Sequence, residues 1–462
     1  MDAKQMGRLR PMLDTFLRQF DSGFGRREPV EHLKTYVLGQ LSTLSRKSME
    51  PMADAAGLEP RNLQNFLSLH EWDDLRVRDL LQQKVARDHR HPLTIGVIDE
   101  TSHVKKGDKT PGVKRQWCGR LGKVENCVMT VHLAYVAGDF HCLIDGELFL
   151  PEDWSADRER CRAAKIPDDV VHRPKWKIAL EERDRAVANG IDLDYVTFDE
   201  NYPMNPEFLF ALDDRGQRYV GEVKRTYTGW LAQPALLYKR PAGFHGRTGR
   251  FPRLKKKSGR PISLENMLSY SPILRKLPWE TFHIKDTDKG PMVWEAKATA
   301  IYLKRDGLPT WPHWLIIARN VENPGEIKFF LGNAPAGTPL EELLHVGFSR
   351  AHVERCFEDE KSELGMSHFE LRNYLGLRRH LTVTALTHLF LAEVHHQWRG
   401  EKSGVDSLPT SHRQLRVDSI PLGVRERSRE IPGKSGLHHS PDAGTQSPSA
   451  AIPWEGPTQA VA

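Results

Sequence analysis

Apolar residues recur at three- and four-residue spacing through residues 1–90, most clearly in "LKTYVLGQLSTL" and "WDDLRVRDLLQQKVARDH". This period is typical of amphipathic helices that bury one face. Between the two runs, Gly57 and Pro60 divide a further stretch into two short helices. The pair is compatible with a helix-turn-helix motif and equally with an ordinary helical hairpin. Residues 1–90 are therefore predicted to form an α-helical N-terminal domain.

The period changes near residue 93, where short runs rich in β-branched, aromatic and aliphatic residues begin. The run "LTIGVID" predicts a strand, and "NCVMTVHLAYVAG" and "FHCLIDGELFLP", separated by Gly138 and Asp139, predict an antiparallel hairpin. A helical period follows in "PKWKIALEERDRAVANG", then a strand in "DYVTFD", a short helix near "NPEFLFALDD" and a strand in "QRYVGEVK". The order strand, strand, strand, helix, strand, helix, strand indicates a mixed α/β domain.

Strands dominate again between residues 279 and 332, in the runs "ETFHIK", "VWEAKATAIYLK", "HWLIIARN" and "EIKFFLGN". Helical periods return in "PLEELLHV", "SRAHVERCFEDEKSELG" and "RRHLTVTALTHLFLAEVHHQW". Beyond Trp398 the chain is rich in Pro, Ser and Gly and has no period, which predicts disorder for residues 401–462. We therefore predict one domain from residues 91–225 and 338–400, interrupted by a basic segment and β-rich insertion at residues 226–337.

Composition narrows the class of protein. The 462 residues include 67 Lys and Arg and 61 Asp and Glu, for a net charge of +6. None of the five cysteines forms a CxxC pair, which disfavours a disulfide scaffold or a zinc site. The N-terminal "MDAKQMGRLRPML" lacks the apolar core of a signal peptide, and no apolar run is long enough to span a membrane. These features predict a cytoplasmic protein with reduced thiols and no membrane partner.

The charge excess is concentrated in one segment. Residues 226–264 contain no Asp or Glu, and the aromatic residues Tyr238, Phe244 and Phe251 are interleaved with cations. Such a run is often a solvated loop, but the clustering and the aromatic residues favour binding of nucleic acid. The candidate binding residues are Lys239, Arg240, Arg247, Arg250, Arg253, Lys255, Lys256, Lys257 and Arg260.

Three acidic residues stand where the predicted elements place them at the edge of a core. Asp99 ends the run "LTIGVID", and Asp199 ends "DYVTFD". The third acid lies on the predicted helix "SRAHVERCFEDEKSELG", beside an apolar face. The face of this helix next to the apolar one carries four charged residues at helical spacing: Arg350, Glu354, Glu358 and Lys361. A carboxylate between two cations suits a site that handles phosphate groups, although a turn acid or a solvated helix face is the simpler alternative.

Together these residues resemble the DDE-type transposases of bacterial insertion sequences, which have an RNase H-like catalytic domain. In that family one Asp lies on the first strand, a second follows the fourth strand, and a Glu lies on a later helix. The Glu helix of one large group carries Tyr, two residues, Arg, three residues, Glu, six residues and Lys. Here Arg350, Glu354 and Lys361 match, with Gly347 at the Tyr position.

The resemblance covers roughly residues 30–400. The segments "GVKRQWCGRLGKVENCVMTVHL" and "GMSHFELRNYLGLRRHL" are also similar to the family, whereas Pro203 in "DENYP" stands where the group has Gly. The implied fold is an α/β, RNase H-like mixed sheet with a β-rich insertion, a helical N-terminal domain and a disordered C-terminal tail.

The resemblance implies that Asp99, Asp199 and Glu354 are the catalytic, metal-binding residues and that Arg350 and Lys361 contact DNA. Carboxylates are the ligands that Mg²⁺ prefers, and two such ions can activate water and stabilise the leaving oxygen of a phosphodiester. Mn²⁺ is the expected substitute. Two other acids need separate interpretations. Glu358 is a rival for the third catalytic acid, and Glu100 should point to the opposite side of its strand from Asp99.

The implied function is cut-and-paste DNA transposition: metal-dependent cleavage at terminal inverted repeats and strand transfer into target DNA. A homodimer on paired ends, associated with the bacterial nucleoid, is expected. Two alternatives stay open: a domesticated, non-catalytic DNA-binding protein, and another RNase H-like nuclease. An insertion tryptophan is a candidate for stacking on a DNA base, although core packing is the better explanation for each of Trp279, Trp294, Trp311 and Trp314.

Overall fold

The computed structural model describes residues 3–239, 251–287 and 290–401. Arg240, Arg247 and Arg250 lie outside the described residues, as do residues 402–462 of the predicted disordered tail 401–462, whose first residue, Glu401, is helical. The helices are α1 (Ala3–Leu17), α2 (Arg27–Leu41), α3 (Met49–Ala55), α4 (Pro60–Ser68), α5 (Asp74–Asp88), α6 (Glu152–Ala156), α7 (Arg158–Ala163), α8 (Lys175–Ala188), α9 (Glu207–Asp214), α10 (Leu264–Tyr270), α11 (Pro272–Lys276), α12 (Leu340–Phe348), α13 (Ala351–Ser362) and α14 (Tyr374–Glu401). The strands are β1 (Thr94–Val104), β2 (Lys114–Cys118), β3 (Lys123–Ala137), β4 (Phe140–Leu148), β5 (Tyr195–Phe198), β6 (Val220–Val223), β7 (Thr228–Gly229), β8 (Leu236–Lys239), β9 (Phe251–Leu254), β10 (Ile262–Ser263), β11 (Glu280–Thr287), β12 (Gly290–Arg305), β13 (Leu308–Asn320) and β14 (Ile327–Gly332).

The N-terminal part is helical, as predicted, and α1 to α5 account for most of it. α4 begins at Pro60, and Gly57 in the preceding turn has a φ of 67°, which favours glycine. These helices share one hydrophobic core with α14. Gln40 on α2 is fully buried and donates a hydrogen bond to Thr384 on α14 at 2.8 Å. The long C-terminal helix therefore packs into the N-terminal helices.

A five-stranded sheet carries the two candidate aspartates. β3 pairs antiparallel with β1 along one edge, and β2 and β4 share its other edge. β5 pairs parallel to β1 in the register Ile98↔Phe198. β3 and β4 form the predicted hairpin, and α8, α13 and α14 pack on the sheet. The mixed α/β class expected from the sequence is confirmed.

β1 extends beyond its apolar run. The run stops at Asp99, but the strand continues to Val104, so Asp99 lies in the middle of the strand and not at its end. The polar half is paired with β3 as far as Val104↔Cys127. Backbone hydrogen bonding extends a strand regardless of side-chain polarity. The sequence pattern also misses β2, a short strand whose alternate residues Arg115 and Trp117 are exposed.

A second five-stranded sheet, ordered β11–β12–β13–β14–β6, contains the four strands predicted for the insertion. Its edge strand β6 precedes the insertion in the chain and meets β5 through the bridge Val196↔Tyr219. Gly221 permits close approach here, because a Cβ at this position would lie 2.0 Å from the ring of Phe198. The two sheets therefore join beside Asp199, which follows Phe198.

The four insertion tryptophans, all of them described, differ in exposure. Trp294 is 2% exposed and belongs to the core, and Trp279 and Trp314 are partly buried against it. Trp311 is 50% exposed. Core packing therefore accounts for three of the four, whereas Trp311 is exposed and stacks on His313.

The described helices include none that is both long and apolar enough to cross a bilayer. α14 has 28 residues but carries Arg378, Arg379 and Glu393 within its length. All five cysteines are buried free thiols.

Candidate active site

Asp99, on β1, and Asp199, directly after β5, lie at equivalent positions of two adjacent parallel strands. β1 and β5 pair in the register Ile98↔Phe198, and the two aspartates directly follow these two residues in the sequence. Adjacent strands lie about 4.8 Å apart. One strand pairing therefore brings two acids from distant points of the sequence to the same level of the sheet.

Asp99 is buried, with 8% of its surface exposed. Its Oδ1 accepts the N–H of Glu100 at 2.8 Å, and its Oδ2 accepts a hydrogen bond from Nη1 of Arg350 at 3.2 Å. Burial and the nearby Asp199 carboxylate nevertheless raise the pKa of Asp99 to about 7. The negative charge of the ionised site is thus only partly compensated, which is the electrostatic condition that favours binding of a cation.

Asp199 begins a tight loop directly after β5. Its Oδ1 accepts the backbone N–H of Asn201 at 3.0 Å, and its Oδ2 accepts the side-chain N–H of the same residue at 2.7 Å. Tyr202–Met204 then forms a 3-10 turn with Pro203 near its start. Proline fixes φ near the value of such a turn. Pro203, in the position where the family has Gly, is therefore compatible with the loop that holds Asp199.

Arg350 connects Asp99 to the third acid. Its Nη2 lies 2.7 Å from Oε1 of Glu354, while its Nη1 donates to Asp99. Burial opposes the charge of Arg350, but Glu354 and Asp99 raise its pKa. The Glu354 side chain is 55% exposed. The guanidinium thus bridges a buried carboxylate on the sheet and an exposed carboxylate on α13.

Lys361 ties α13 to β1. Its Nζ donates to the hydroxyl of Thr101 and, at 3.2 Å, to the carbonyl of Ser102. Burial and the nearby Arg120 lower the pKa of Lys361 to about 8. The ammonium group therefore stands beside the strand that carries Asp99, with part of its hydrogen-bonding capacity already used.

Two other acids near the site have different partners. Glu358 is 50% exposed and pairs with Arg355 of its own helix at 3.5 Å. Glu100, on the opposite face of β1 from Asp99, binds Lys175 of α8 at 2.5 Å. Neither carboxylate takes part in the bridge between Asp99 and Glu354.

Two further residues close to the acids are not among the candidates predicted from the sequence. The Tyr202 hydroxyl is buried without a hydrogen-bond partner among the described residues. Burial and the neighbouring carboxylates, Asp99 and Asp199 among them, raise its pKa. Glu222 on β6 adds to the negative charge that acts on Arg350. Tyr202 directly precedes Pro203, the residue that stands in the position of the family's Gly, so that run could have indicated it, whereas only the pairing of β6 reveals Glu222.

The candidates of the basic segment lie on a two-stranded ribbon and in the loop after it. β8 and β9 pair with Leu236 opposite Leu254. Lys239 is the last residue of β8, and Lys256 begins a short 3-10 turn. Four other candidates have exposed side chains: Arg253, Lys255, Lys257 and Arg260.

The chemistry of the donor set fits a hard divalent ion, with Asp99, Asp199 and Glu354 as the residues that would hold it. Their oxygens do not all lie within 4.8 Å of one another. Arg350 occupies the space between Asp99 and Glu354, where its charge takes the place of a cation. For the acids to close on an ion, Arg350 must withdraw. Among the described residues, the cluster that does meet the 4.8 Å spacing is Glu28, His32 and His70.

Comparison with known proteins identifies the family. The family model described as DDE superfamily endonuclease matches residues 19–291, a span that contains Asp99 and Asp199 and ends before Glu354. Over 219 residues the sequence is 28% identical to a probable transposase for insertion sequence element IS701 from Microchaete diplosiphon. That alignment covers 46% of this chain and 54% of the relative, so the chain spans about half the length of the curated relative it matches.

Similarity to a solved structure is weaker. The NurA nuclease from Sulfolobus solfataricus aligns with 63% of this chain and 93% of its own, at 11% identity and a TM-score of 0.24, a value too low to support any argument. Endonucleases of the DDE superfamily generally use divalent metal ions. Because the family model matches more than half of this chain, the chain belongs to the DDE superfamily endonucleases.

Proposed function

We propose that this chain is a cut-and-paste transposase that cleaves DNA at the terminal inverted repeats of its element and joins the ends to target DNA. The observation that carries the proposal is that the pairing of β1 with β5 brings Asp99 and Asp199 to one level of the sheet, with Glu354 joined to Asp99 through Arg350. The similarity to a probable insertion-sequence transposase supports the choice of substrate.

The three acids would hold two Mg²⁺ ions, with Mn²⁺ as a substitute. When bound, the ions supply activation of the attacking water and stabilisation of the leaving oxygen. The protein's own contribution is positioning. β1 and β5 fix two carboxylates at one level, and Lys361 holds α13, the helix that carries Glu354, against β1. Once released from the carboxylates, Arg350 can bind a phosphate through two parallel hydrogen bonds.

Binding to DNA ends is assigned to surfaces outside the acids. The exposed cations of residues 253–260 can neutralise backbone phosphates, and the α3–α4 pair offers a helical surface. A homodimer on paired ends belongs to the same proposal, since cut-and-paste chemistry handles two ends together.

The test is cleavage of a labelled duplex that carries the inverted repeat flanking the gene, with Mg²⁺, with Mn²⁺ and with EDTA. Asp99→Asn, Asp199→Asn and Glu354→Gln should each reduce cleavage by at least about 100-fold, since even indirect metal-site residues are worth 10- to 100-fold. The matched control is Glu358→Gln, one helical turn beyond Glu354, which should keep most of the activity. Binding of the duplex should survive in all four variants.

Different outcomes support the alternatives. Specific binding with no cleavage under any metal condition would favour the non-catalytic DNA-binding protein. Cleavage that ignores the repeat, or that prefers a branched or RNA-containing substrate, would favour another RNase H-like nuclease. Inactive Glu358→Gln with active Glu354→Gln would move the third acid to Glu358.

A further inference from the structure

We propose that a basic groove between the N-terminal helices and the end of β1 binds the phosphate backbone of duplex DNA beside the cleavage site. The inference rests on the proposed function for its substrate. The groove measures about 1010 Å³ and is lined by the connection between α2 and α3, the loop after β1 and the segment before α14. Its charged lining residues are five cations and two carboxylates: Arg46, Lys105, Lys106, Lys109, Arg372, Asp108 and Glu370.

Two of the cations serve to build the groove. Arg46 pairs with Glu370, and Lys105 Nζ donates to the carbonyls of Ser367 and Phe369 at 2.9 and 2.6 Å. Burial lowers the pKa of Lys105 to about 7. These contacts hold the loop after β1 against the segment before α14, so they fix the shape of the groove and contribute little free charge.

Three cations remain available to a ligand. Lys106, Lys109 and Arg372 are exposed, and no carboxylate of the described residues forms an ion pair with any of them. Of the two carboxylates that line the groove, Asp108 is the one that forms no ion pair with a Lys or Arg of the described residues. Unpaired lysines and arginines gathered along a groove are the usual means of attracting a polyanion.

Positive charge continues from the groove to the candidate active site through Arg120, in the turn between β2 and β3. Together with burial and other cations, Arg120 lowers the pKa of His368 in the groove, and it also acts on Lys361. β1 connects the same two places, because Asp99 lies on it and Val104 lines the groove. Five residues of strand span about 17 Å, which is about five base pairs of duplex DNA.

The lining favours duplex DNA over a single strand. Among the described lining residues, Phe369 is the only Phe, Tyr or Trp; it is 4% exposed, and Lys105 Nζ lies 3.3 Å from its ring centroid. Proteins that bind single strands stack bases on exposed aromatic rings, and the described lining offers no exposed Phe, Tyr or Trp ring. Contact by Lys and Arg alone binds the backbone of a duplex without reading its sequence.

The experiment measures the salt dependence of duplex binding for two triple variants with the same change in net charge. The groove variant replaces Lys106, Lys109 and Arg372 with Ala. The control variant replaces three exposed cations that do not line the groove: Arg18, Arg90 and Lys276. Fluorescence anisotropy with a labelled duplex and with a single strand of equal length gives the log–log slope of affinity against salt.

The groove variant should lower the slope on the duplex by about 2.7, or about 0.9 for each phosphate that is no longer neutralised, and the control should leave it nearly unchanged. Lys109→Ala and Arg372→Ala alone should each lower it by about 0.9, which protects the result against misfolding of the triple variant. Equal slopes for the groove and control variants would overturn the inference, as would a change confined to the single strand. If the wild type binds and cleaves DNA while the slopes are equal, the proposed function stands and the groove assignment fails.

Discussion

Replacement of Asp99 by Asn should abolish cleavage and yet stabilise the metal-free protein above pH 7. The side chain is 8% exposed, and burial and Asp199 raise its pKa to about 7. Asn has the shape of the neutral carboxyl group but cannot ionise. The substitution therefore removes a buried charge that the folded chain, without a cation, accommodates poorly.

The magnitude follows from the pKa. A rise from 3.8 to about 7 is about 3 units, and each unit corresponds to 1.36 kcal/mol. The upper limit is therefore about 4 kcal/mol at pH 8, and relaxation of the buried site reduces the expected gain to about 2–4 kcal/mol. The folded state holds this proton more tightly than the unfolded state. The stabilisation from a protonated Asp99 is thus complete below pH 3.8 and is lost as the pH rises to about 7.

The assay is urea unfolding followed by circular dichroism in EDTA, at pH 8 and near pH 4. The increase in the free energy of unfolding of Asp99→Asn over the wild type should shrink to under about 1 kcal/mol near pH 4. Glu354→Gln is the control, because its 55% exposed carboxylate should change the free energy of unfolding by less than about 0.5 kcal/mol. Added Mn²⁺ should stabilise the wild type and leave Asp99→Asn nearly unchanged.

A lower stability of Asp99→Asn at pH 8 would refute this reasoning. It would mean that the attraction between Asp99 and Arg350 exceeds the cost of burying the carboxylate. Stabilisation that does not depend on pH would also contradict it, since it would have to arise from packing and not from ionisation.

Two other substitutions test the positioning of the acids. Arg350→Gln should raise the affinity of the DNA-free protein for Mn²⁺ several-fold at pH 8, measured by calorimetry, because it removes the competing cation between the carboxylates. DNA cleavage by this variant should fall. Weaker Mn²⁺ binding would show instead that Arg350 organises the site. Gly221→Ala should lower the free energy of unfolding in urea by about 1–3 kcal/mol and slow cleavage. The reason is that its Cβ would lie 2.0 Å from the Phe198 ring and displace the strand before Asp199. An unchanged urea midpoint would show that the sheets separate freely here.

Much of the local structure is readable from the sequence because it depends on residues a few positions apart. The helical period predicts α8, α13 and α14, and the apolar runs predict β3, β4, β5 and β12 to β14. The sequence pattern fails to predict strands that are short or polar. β2 and the second half of β1 have few buried apolar side chains, and their strand conformation is set by pairing with β3.

The candidate active site, too, is predicted from the sequence only in part. The apolar runs before Asp99 and Asp199 and the Arg–Glu–Lys spacing on one helix identify the candidates without a structure. The assignment of their catalytic roles stays a prediction. Lys361, expected to contact DNA, has its ammonium group hydrogen-bonded to β1, a contact that no spacing within α13 could reveal.

The sequence by itself determined the order of elements, the basic segment and the residue types that can carry out metal-dependent chemistry, since period, charge and side-chain chemistry are local properties. The tertiary structure alone decided which of them meet. Asp99 and Arg350 are 251 positions apart, and their contact depends on the pairing of β1 with β5, the bridge from β5 to β6 and the packing of α13 on the sheet. The groove likewise arises from three segments that are far apart in the chain. Such contacts result from burying many side chains at once, so no short pattern along the chain encodes them.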